Sequence, residues 1–361
     1  MNKVVKELLR QKKKEELQKR EFYSLRSILG NDWAMFFVLL GGRQAGKSYS
    51  VMDFFVKQFN DYGTPFYWLR LKPAQCDKLL KNNASELVDP DLVRKYKLDL
   101  TVTSPHVYAV RERSKKDKMG RTKIIKKDKM GTVLPISTFY DDKGVGYFDK
   151  DYKGWYNIAV DEFQREKNEK NTFDIMYSLV NQLENLVRNT KTKIRIFFLG
   201  NTLEEASDVL CSFNFIPEEF GRYKLKKKRC VIDYIEPSEA YKAMRKGSIA
   251  DILMPESSTF TNAIDTDYSL IRRGRIVTPQ YVIKFGKTKD TWFTVWDNNT
   301  IAFYNGEHKP VISMKPYLDE IFNVKTRDSI IQQFDFRGFC YRNLITFKKF
   351  QKFVELVKPR K

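Results

Sequence analysis

Two short stretches of this 361-residue chain carry side chains that together could bind and hydrolyse a nucleoside triphosphate. The first has the sequence GGRQAGKS and fits the pattern G-x-x-x-x-G-K-[ST]. In this pattern backbone N–H groups surround phosphates at a helix N-terminus, the lysine reaches the β- and γ-phosphates, and the serine binds Mg²⁺. We therefore predict an ATP-binding loop made of Gly41, Gly42, Arg43, Gln44, Ala45, Gly46, Lys47 and Ser48.

The second stretch is the acid pair Asp161-Glu162, which follows the apolar segment Trp155–Val160. A buried strand that ends in two carboxylates is costly unless the carboxylates bind something. Asp161 is the expected Mg²⁺ ligand through water, and Glu162 would position and polarise the attacking water. The pair therefore predicts hydrolysis and not only binding, although an acid pair alone could simply cap the next helix.

Two further polar residues lie close to these motifs in the sequence. Asn201 follows the apolar segment Ile194–Leu199, and we predict that it touches the γ-phosphate or the attacking water; its alternative role is a turn-forming asparagine. Arg188 precedes the same segment and could supply an arginine finger to a neighbouring subunit. From the sequence alone, Arg188 is equally well explained as a surface arginine.

The surrounding pattern predicts an α/β domain over residues 1–237, because apolar strands alternate with helices as in a mostly parallel sheet. The predicted helices are Asn2 to about Ser27, Ser48–Tyr62 and Asn171–Thr190. The predicted strands are Trp33–Leu40, Thr64–Leu71, Val102–Val110, Val133–Phe139, Gly154–Val160 and Ile194–Leu199. This order would bring both motifs to the ends of neighbouring strands.

A different composition follows. Residues 238–267 are polar and predict a linker. Residues 268–361 predict a small α+β domain with three hairpin strands, a helix at Lys315–Phe322 and a final helix from about Arg342. No apolar run is long enough to span a bilayer, and the first residues are charged, unlike a signal peptide. Two histidines and four widely spaced cysteines argue against a multi-histidine metal site or a disulfide framework.

The net charge of +21 is concentrated in four segments. Residues 1–20 carry +5, residues 111–131 carry +7, residues 222–229 carry +6 and residues 342–361 carry +6, which leaves the remainder near neutral. Solvated surfaces and tails would explain any one of them, but four together favour a nucleic-acid partner.

The segment 111–131 contains the sequence KKDKMG twice, between strand-like residues, and predicts a basic hairpin or flexible loop. Repeated lysines and arginines there would contact phosphates without regard to sequence. The predicted DNA-binding residues are Lys115, Lys116, Lys118, Arg121, Lys123, Lys126, Lys127 and Lys129.

These motifs resemble the large-terminase branch of the additional-strand (ASCE-type) P-loop ATPases, and more narrowly the DNA-packaging ATPases of phi29-like tailed phages. The resemblance rests on GGRQAGKSY (41–49), YWLRLKP (67–73), LPIST (134–138), VDEFQREK (160–167), the Arg188 region and the strand ending in Gly200-Asn201. It weakens toward the C-terminus, where the corresponding family domain is RNase-H-like.

The resemblance implies an ATP-driven motor that moves double-stranded DNA through a portal into a prohead. It also implies a homomeric ring, pentameric in this family, with active sites between subunits. Arg188 matches the arginine finger, Lys143 matches a lysine offered across the interface, and Arg70 and Lys72 are candidates for nucleotide or interface contacts. The implied location is the host cytoplasm, transiently on the prohead and not in the finished virion. Whether a structural RNA takes part stays open.

Two other functions remain at this stage. Headful terminases carry a two-metal nuclease, but the segment Tyr281–Phe285 here offers Lys284 and no acid, so we predict a vestigial RNase-H-like domain that does not cut DNA. The second alternative is an ATP-gated nucleic-acid-binding scaffold without motor work, against which the Asp161-Glu162 pair argues.

Overall fold

The computed structural model describes residues 12, 15–16, 18–115, 122–141, 154–164, 173–187, 193–201, 207–253, 268–272, 279–284, 291–296, 299–305 and 324–358. The chain forms two compact units. The first combines Met1–Glu204 with Pro217–Asp265, and the second combines Glu205–Ile216 with Thr266–Lys361. The division therefore differs from the boundary predicted at residue 237, because most of the expected linker belongs to the first unit.

A nine-stranded sheet forms the centre of the first unit. Its strands are β1 (Phe36–Leu40), β2 (Phe66–Arg70), β3 (Leu100–Thr103), β4 (His106–Arg113), β5 (Ile124–Pro135), β6 (Tyr156–Asp161), β7 (Ile194–Gly200), β8 (Gly221–Leu225) and β9 (Cys230–Tyr234). The spatial order is β3-β4-β5-β2-β6-β7-β1-β9-β8. The six neighbouring strands β5, β2, β6, β7, β1 and β9 run parallel to one another. The pairs β3–β4, β4–β5 and β9–β8 at the two edges are antiparallel. The predicted α/β class with a mostly parallel sheet is confirmed.

Helix α1 (Arg26–Leu29) precedes the first strand, and four helices lie in connections between strands: α2 (Lys47–Tyr62), α3 (Pro73–Ala84), α4 (Pro90–Tyr96) and α5 (Ile175–Leu186). In α2 the residues Val51, Phe55 and Phe59 recur at helical spacing and are all buried. The ring of Phe55 packs on those of Phe66, Trp68 and Phe197, which fastens α2 to the sheet. The predicted helix from Asn2 to about Ser27 differs, since residues 20–24 are not helical.

Strand β7 lies between β1 and β6 in the sheet. Phe198 of β7 is in register with Val38 of β1 and with Val160 of β6. Because the three strands are parallel, their carboxyl ends meet at one edge of the sheet. The strand before Asn201 therefore lies beside the strand that ends in Asp161, as the sequence predicts.

The basic segment 111–131 forms part of a hairpin, since it includes the end of β4 and the start of β5, and these two strands pair antiparallel. The predicted strand Val102–Val110 is two strands, β3 and β4, joined by a short turn. Strand β5 begins at Ile124, earlier than the predicted Val133, because its first half extends the hairpin rather than the buried sheet. Of the two predicted forms, a basic hairpin or a flexible loop, the described residues form the strands of a hairpin, and residues 116–121 lie outside the described part of the chain.

Strands β8 and β9 have no counterpart in the sequence-based prediction. They flank the turn around the 3-10 helix Lys226–Lys228, where four lysines within five residues hide the strand pattern. Every residue of β9 is buried, and β9 runs parallel to β1. Arg222 donates to the carboxylate of Asp233 at 2.7 Å, so part of this charge cluster is neutralised inside the fold.

The second unit contains a four-stranded sheet in the order β10 (Pro279–Lys284), β11 (Thr291–Trp296), β12 (Thr300–Asn305) and β13 (Cys340–Tyr341). Its helices are α6 (Asp208–Ser212), α9 (Val324–Asp335) and α10 (Leu344–Val357). Aromatic rings of Phe293, Phe339, Phe350 and Phe353 form the centre of its core. This is the small α+β unit that the sequence predicts, while the predicted helix Lys315–Phe322 falls outside the described residues.

The RNase-H-like assignment of this unit stays a prediction. Among the described residues, no three His, Cys, Asp or Glu side chains come close enough together to hold a metal ion. Within the same ranges, no helix combines the length and apolar character that crossing a lipid bilayer requires.

Candidate nucleotide-binding site

The predicted phosphate loop connects β1 to α2. Gln44 and Gly46 adopt left-handed backbone conformations, with φ of 63° and 81°. A Cβ atom at residue 46 would lie 3.0 Å from the Cβ of Phe22, so this position needs glycine for both space and backbone angle. The loop therefore has left-handed turns of the kind found in phosphate-binding loops.

Lys47 is almost fully buried at the start of α2. Its Nζ donates hydrogen bonds to the carbonyl oxygens of Gly41 and Gly42, at 2.8 and 2.7 Å. Burial lowers the pKa of Lys47 to about 8, although the nearby Asp161 and Glu162 oppose that shift. Burial makes the charged form of Lys47 costly, and anionic phosphates beside it would offset that cost.

Asp161 occupies the carboxyl end of β6, and Ser48 Oγ lies 3.4 Å from Asp161 Oδ1. Burial raises the pKa of Asp161, while Arg70 and Lys47 act in the opposite direction. A hydroxyl and a carboxylate placed together provide the hard oxygen ligands that Mg²⁺ prefers. The side chains therefore fit the predicted metal site.

Glu162 adopts a left-handed conformation with φ of 51°, and its N–H donates to the carbonyl of Leu199 at 3.0 Å. This bond ties the residue after β6 to strand β7. The Glu162 side chain is half exposed, and its carboxylate accepts a hydrogen bond from Arg70. The second Arg70 nitrogen, Nη2, lies 2.9 Å from Asp161 Oδ2.

Arg70 is thus a member of the site, at the end of β2. The family resemblance implied two candidate roles for Arg70 and Lys72, a nucleotide contact or an interface contact, and these stay predictions. The structure brings Arg70 onto the acid pair, and Lys72 is the residue immediately before helix α3. Only the parallel pairing of β2 with β6 creates this contact, so no local sequence signal indicates it.

The remaining predicted site residues divide into two groups. Asn201 follows β7 and is half-buried at the edge of the sheet where Asp161 lies. Its neighbour Gly200 is a position where a Cβ would meet the Phe163 ring at 2.8 Å. Arg188 and Lys143 lie outside the described residues, so their roles stay predictions.

The predicted DNA-binding residues are described in part. Lys115, Lys123, Lys126 and Lys127 are exposed on the hairpin, and Lys129 is half-buried. Lys116, Lys118 and Arg121 lie outside the described residues. The hairpin also contains arginines that are already paired, since Arg111 bonds Asp128 at 2.8 Å and Arg113 forms two bonds to Asp99. The exposed lysines Lys115, Lys123, Lys126 and Lys127 carry positive charge on the surface of the described hairpin.

Sequence reasoning missed a helix that contacts the phosphate loop. Helix α7 (Glu239–Arg245) lies in the predicted linker and is followed by α8 (Ile249–Leu253). The Tyr241 hydroxyl donates to the carbonyl of Arg43 at 2.7 Å, and Arg245 Nη1 donates to the same oxygen at 3.1 Å. These residues are 198 or more positions from the loop, so no spacing rule connects them.

A cavity of about 330 Å³ lies beside the loop, between the segment before β1 and the segment after β9. Apolar and aromatic residues contribute to its wall, among them Phe22, Ala45, Phe220 and Pro237. Polar atoms from Tyr23, Arg222 and Asp233 also line the cavity, and the Tyr23 hydroxyl donates to Asp233 at 2.7 Å. Burial and the Asp233 carboxylate raise the pKa of Tyr23, which keeps this hydroxyl a donor.

Comparison with known proteins finds relatives among the DNA packaging proteins of phages. No family model matches the chain. The DNA packaging protein of Bacillus phage phi29 is 23% identical over 303 residues, which cover 81% of each chain, and that of Bacillus phage PZA matches equally well. The chain resembles the phi29-like packaging proteins, as its motifs predict.

Solved packaging motors have the same fold. The phi28 gp11 DNA-packaging motor aligns with 94% of this chain and 99% of its own, with a TM-score of 0.62 and 15% identity. The packaging motor assembly of bacteriophage phi29 aligns with 94% and 100%, with a TM-score of 0.61 and 18% identity. The likeness to these packaging proteins thus extends over both units.

Proposed function

We propose that this protein is the ATPase of a phage DNA-packaging motor, which uses ATP hydrolysis to move double-stranded DNA into a prohead. The observation that carries the proposal is the convergence of Lys47, Ser48, Asp161 and Glu162 at one edge of the sheet. The similarity to phage packaging proteins over most of the chain supports the choice of DNA packaging over other ATP-driven work.

The roles of the loop residues follow from their chemistry. Backbone amides of the loop after Gly41 surround the phosphates, and Lys47 adds a buried positive charge to the β- and γ-phosphates. Ser48 and Asp161 would hold Mg²⁺. That ion, when bound, offsets the negative charge of the β- and γ-phosphates.

Glu162 is the group that handles the proton of the attacking water. Its carboxylate accepts that proton as the water oxygen bonds to the γ-phosphorus and the bond to the β–γ bridging oxygen breaks. The products are ADP and inorganic phosphate. Arg70 occupies one oxygen of the Glu162 carboxylate in this structure and so restrains the side chain that would position the water.

The nucleoside part of ATP is assigned to the 330 Å³ cavity beside the loop. The cavity reaches the loop at Ala45, and its wall combines aromatic surface with buried polar groups, as a base and a ribose require. Substitution of Phe22 by alanine would enlarge the cavity and weaken binding of ATP while sparing inorganic triphosphate.

A ring of identical subunits, for which the motif resemblance implies five members, would place Arg188 and Lys143 against a neighbour's phosphates. In this arrangement Arg188 acts as an arginine finger and Asn201 contacts the γ-phosphate or the water. The motif resemblance supports these roles. Arg188→Ala alone should be inactive, whereas a surface arginine would leave its activity intact. Mixing inactive Arg188→Ala subunits with Glu162→Gln subunits then tests trans action, because a trans-acting arginine restores activity at some mixed interfaces and failure to restore it argues against trans action.

The DNA partner is double-stranded and contacted without regard to sequence, as a packaging motor requires. The exposed lysines of the β4–β5 hairpin are the described residues that suit phosphate contacts. The portal of the prohead is the assembly partner, and the protein acts in the host cytoplasm while transiently attached there. A nuclease in the second unit is not favoured, because the relatives are DNA packaging proteins and the segment Tyr281–Phe285 offers no acid.

The experiment that tests the proposal measures ATP hydrolysis by the purified chain with and without double-stranded DNA. We expect Mg²⁺-dependent turnover that DNA stimulates. A chain that binds ATP but never hydrolyses it, with DNA and proheads both present, would favour the scaffold alternative instead.

A further inference from the structure

We infer that Tyr241 and Arg245 of helix α7 are positioning residues for the phosphate loop. They hold the Arg43 carbonyl outward, so that the amide of Gln44 points toward the phosphates. The inference rests on the proposed ATP-binding function and adds a second segment of the chain, far from the motif, to the binding machinery.

The contact is a closed triangle of hydrogen bonds. The Tyr241 hydroxyl donates to the Arg43 carbonyl at 2.7 Å, and Arg245 Nη1 donates to that carbonyl at 3.1 Å. Arg245 Nη1 also donates to the Tyr241 hydroxyl oxygen at 3.0 Å, which fixes the direction of the hydroxyl proton. The single Arg43 oxygen thus accepts from two side chains of one helix.

Holding this oxygen determines where the next amide points. In a planar trans peptide the C=O and the following N–H face opposite directions. An Arg43 carbonyl bonded to α7 therefore sends the Gln44 N–H to the other side of the chain. Gln44 has a left-handed φ of 63°, which is a strained conformation for a residue other than glycine. Rotation of the Arg43–Gln44 peptide is therefore the local change that would turn the Gln44 N–H away from the phosphates.

The burial of Arg245 indicates a role beyond packing. The residue is 7% exposed, and none of the ion pairs among the described residues involves it. Its Nε is buried and has no hydrogen-bond partner within the described part of the chain. Burying a guanidinium without a carboxylate partner is costly, and the two hydrogen bonds of Nη1 to Arg43 and Tyr241 offset part of that cost, which ties Arg245 to the phosphate loop.

Helix α7 is itself fixed at its other end. Ser238 caps the helix by accepting from the Tyr241 N–H at 3.0 Å, and its own hydroxyl donates to the carbonyl of Arg20. The Glu239 N–H donates to Gln18 Oε1 at 2.9 Å. Tyr241 is therefore held in place whether or not nucleotide is present, as a positioning residue requires.

The test compares the full-length wild type with Tyr241→Phe, Arg245→Lys and Arg245→Ala. Binding of ADP and of the slowly hydrolysed analogue ATPγS is measured by calorimetry, and KM and kcat for ATP are measured separately. The matched control is Tyr223→Phe, which removes another tyrosine hydroxyl that donates to a backbone carbonyl, that of Glu219, also at 2.7 Å.

We expect Tyr241→Phe to weaken binding of both nucleotides about fivefold, as one net hydrogen bond allows. Arg245→Ala should weaken binding about tenfold or more, since it also removes a charge, and Arg245→Lys should recover part of the loss. The Gln44 amide contacts phosphates in the ground state and the transition state alike, so KM should rise while kcat stays within about twofold. Tyr223→Phe should change neither.

Three results separate the explanations. Wild-type affinity in Tyr241→Phe and Arg245→Lys would overturn the inference even if Arg245→Ala fails to fold. A variant with a lower melting temperature and lower kcat but an unchanged KM would also overturn it. Loss of a purely structural contact unfolds part of the protein, and the molecules that stay folded bind ATP as the wild type does. A wild-type chain that binds neither nucleotide would overturn the proposed function instead.

Discussion

Arg70 bridges the two carboxylates of the site, with Nη2 lying 2.9 Å from Asp161 Oδ2 and Nη1 hydrogen-bonded to Glu162. Asp161 is buried, and Arg70 is the first of the charges that counteract the effect of burial on its pKa. Glu162 is half exposed and contributes little stability through this bond. The same guanidinium therefore stabilises a buried carboxylate and restrains an exposed one.

Replacing Arg70 by glutamine should release Glu162 and raise hydrolysis in the absence of DNA. A half-exposed ion pair such as Arg70–Glu162 stabilises the restrained side chain by at most about 1 kcal/mol. The expected increase in the basal rate of hydrolysis is therefore up to about fivefold. The ratio of DNA-stimulated to basal turnover should fall in consequence. Steady-state phosphate release measures both rates, and a lower basal rate in Arg70→Gln would show that Arg70 assists hydrolysis rather than restraining it.

Replacing Glu162 by glutamine removes the carboxylate that accepts the proton but keeps the size of the side chain. We expect kcat to fall by about 10² to 10⁴, with ATP affinity within a few-fold of wild type. Glu86→Gln, in an exposed turn, is the control for the chemical change itself. Wild-type turnover in Glu162→Gln would remove Glu162 from its assigned role.

The lowered pKa of Lys47 predicts proton uptake when nucleotide binds. At pH 8, near its pKa of about 8, roughly half of the Lys47 side chains are neutral amines. Bound phosphates favour the charged ammonium form, so nucleotide binding raises the pKa and the side chain takes up a proton. Binding of ATP in EDTA should therefore take up as much as about half a proton at pH 8, and affinity should fall as pH rises from 7 to 9. Calorimetry in buffers of different ionisation enthalpy measures this uptake, which should vanish near pH 6.

The hairpin makes a prediction about salt dependence. Replacing exposed Lys123 or Lys126 by alanine should reduce the slope of log affinity against log salt for double-stranded DNA by about 1 each. The charge-neutral control removes the paired residues Arg113 and Asp99 together, and its slope should match that of wild type. Equal slopes in all variants would show that this hairpin does not contact DNA.

The phosphate loop and the acid pair can be predicted from sequence because each is a run of neighbouring residues at the end of an apolar strand. Arg70 cannot be, since its contact with Glu162 spans 92 positions and depends on β2 pairing with β6. The same holds for Tyr241, which lies 198 positions from Arg43. Strand β9 escaped prediction because its five residues follow a run of lysines that dominates the local pattern.

The central claim, that ATP hydrolysis drives DNA into a prohead, is tested most directly by nuclease protection. Purified chain, proheads and double-stranded DNA are mixed with ATP, nuclease is added, and the protected DNA is measured. We predict genome-length protection for the wild type and none for Glu162→Gln, which still binds ATP. Protection by Glu162→Gln, or ATP turnover by the wild type without any protected DNA, would contradict the account.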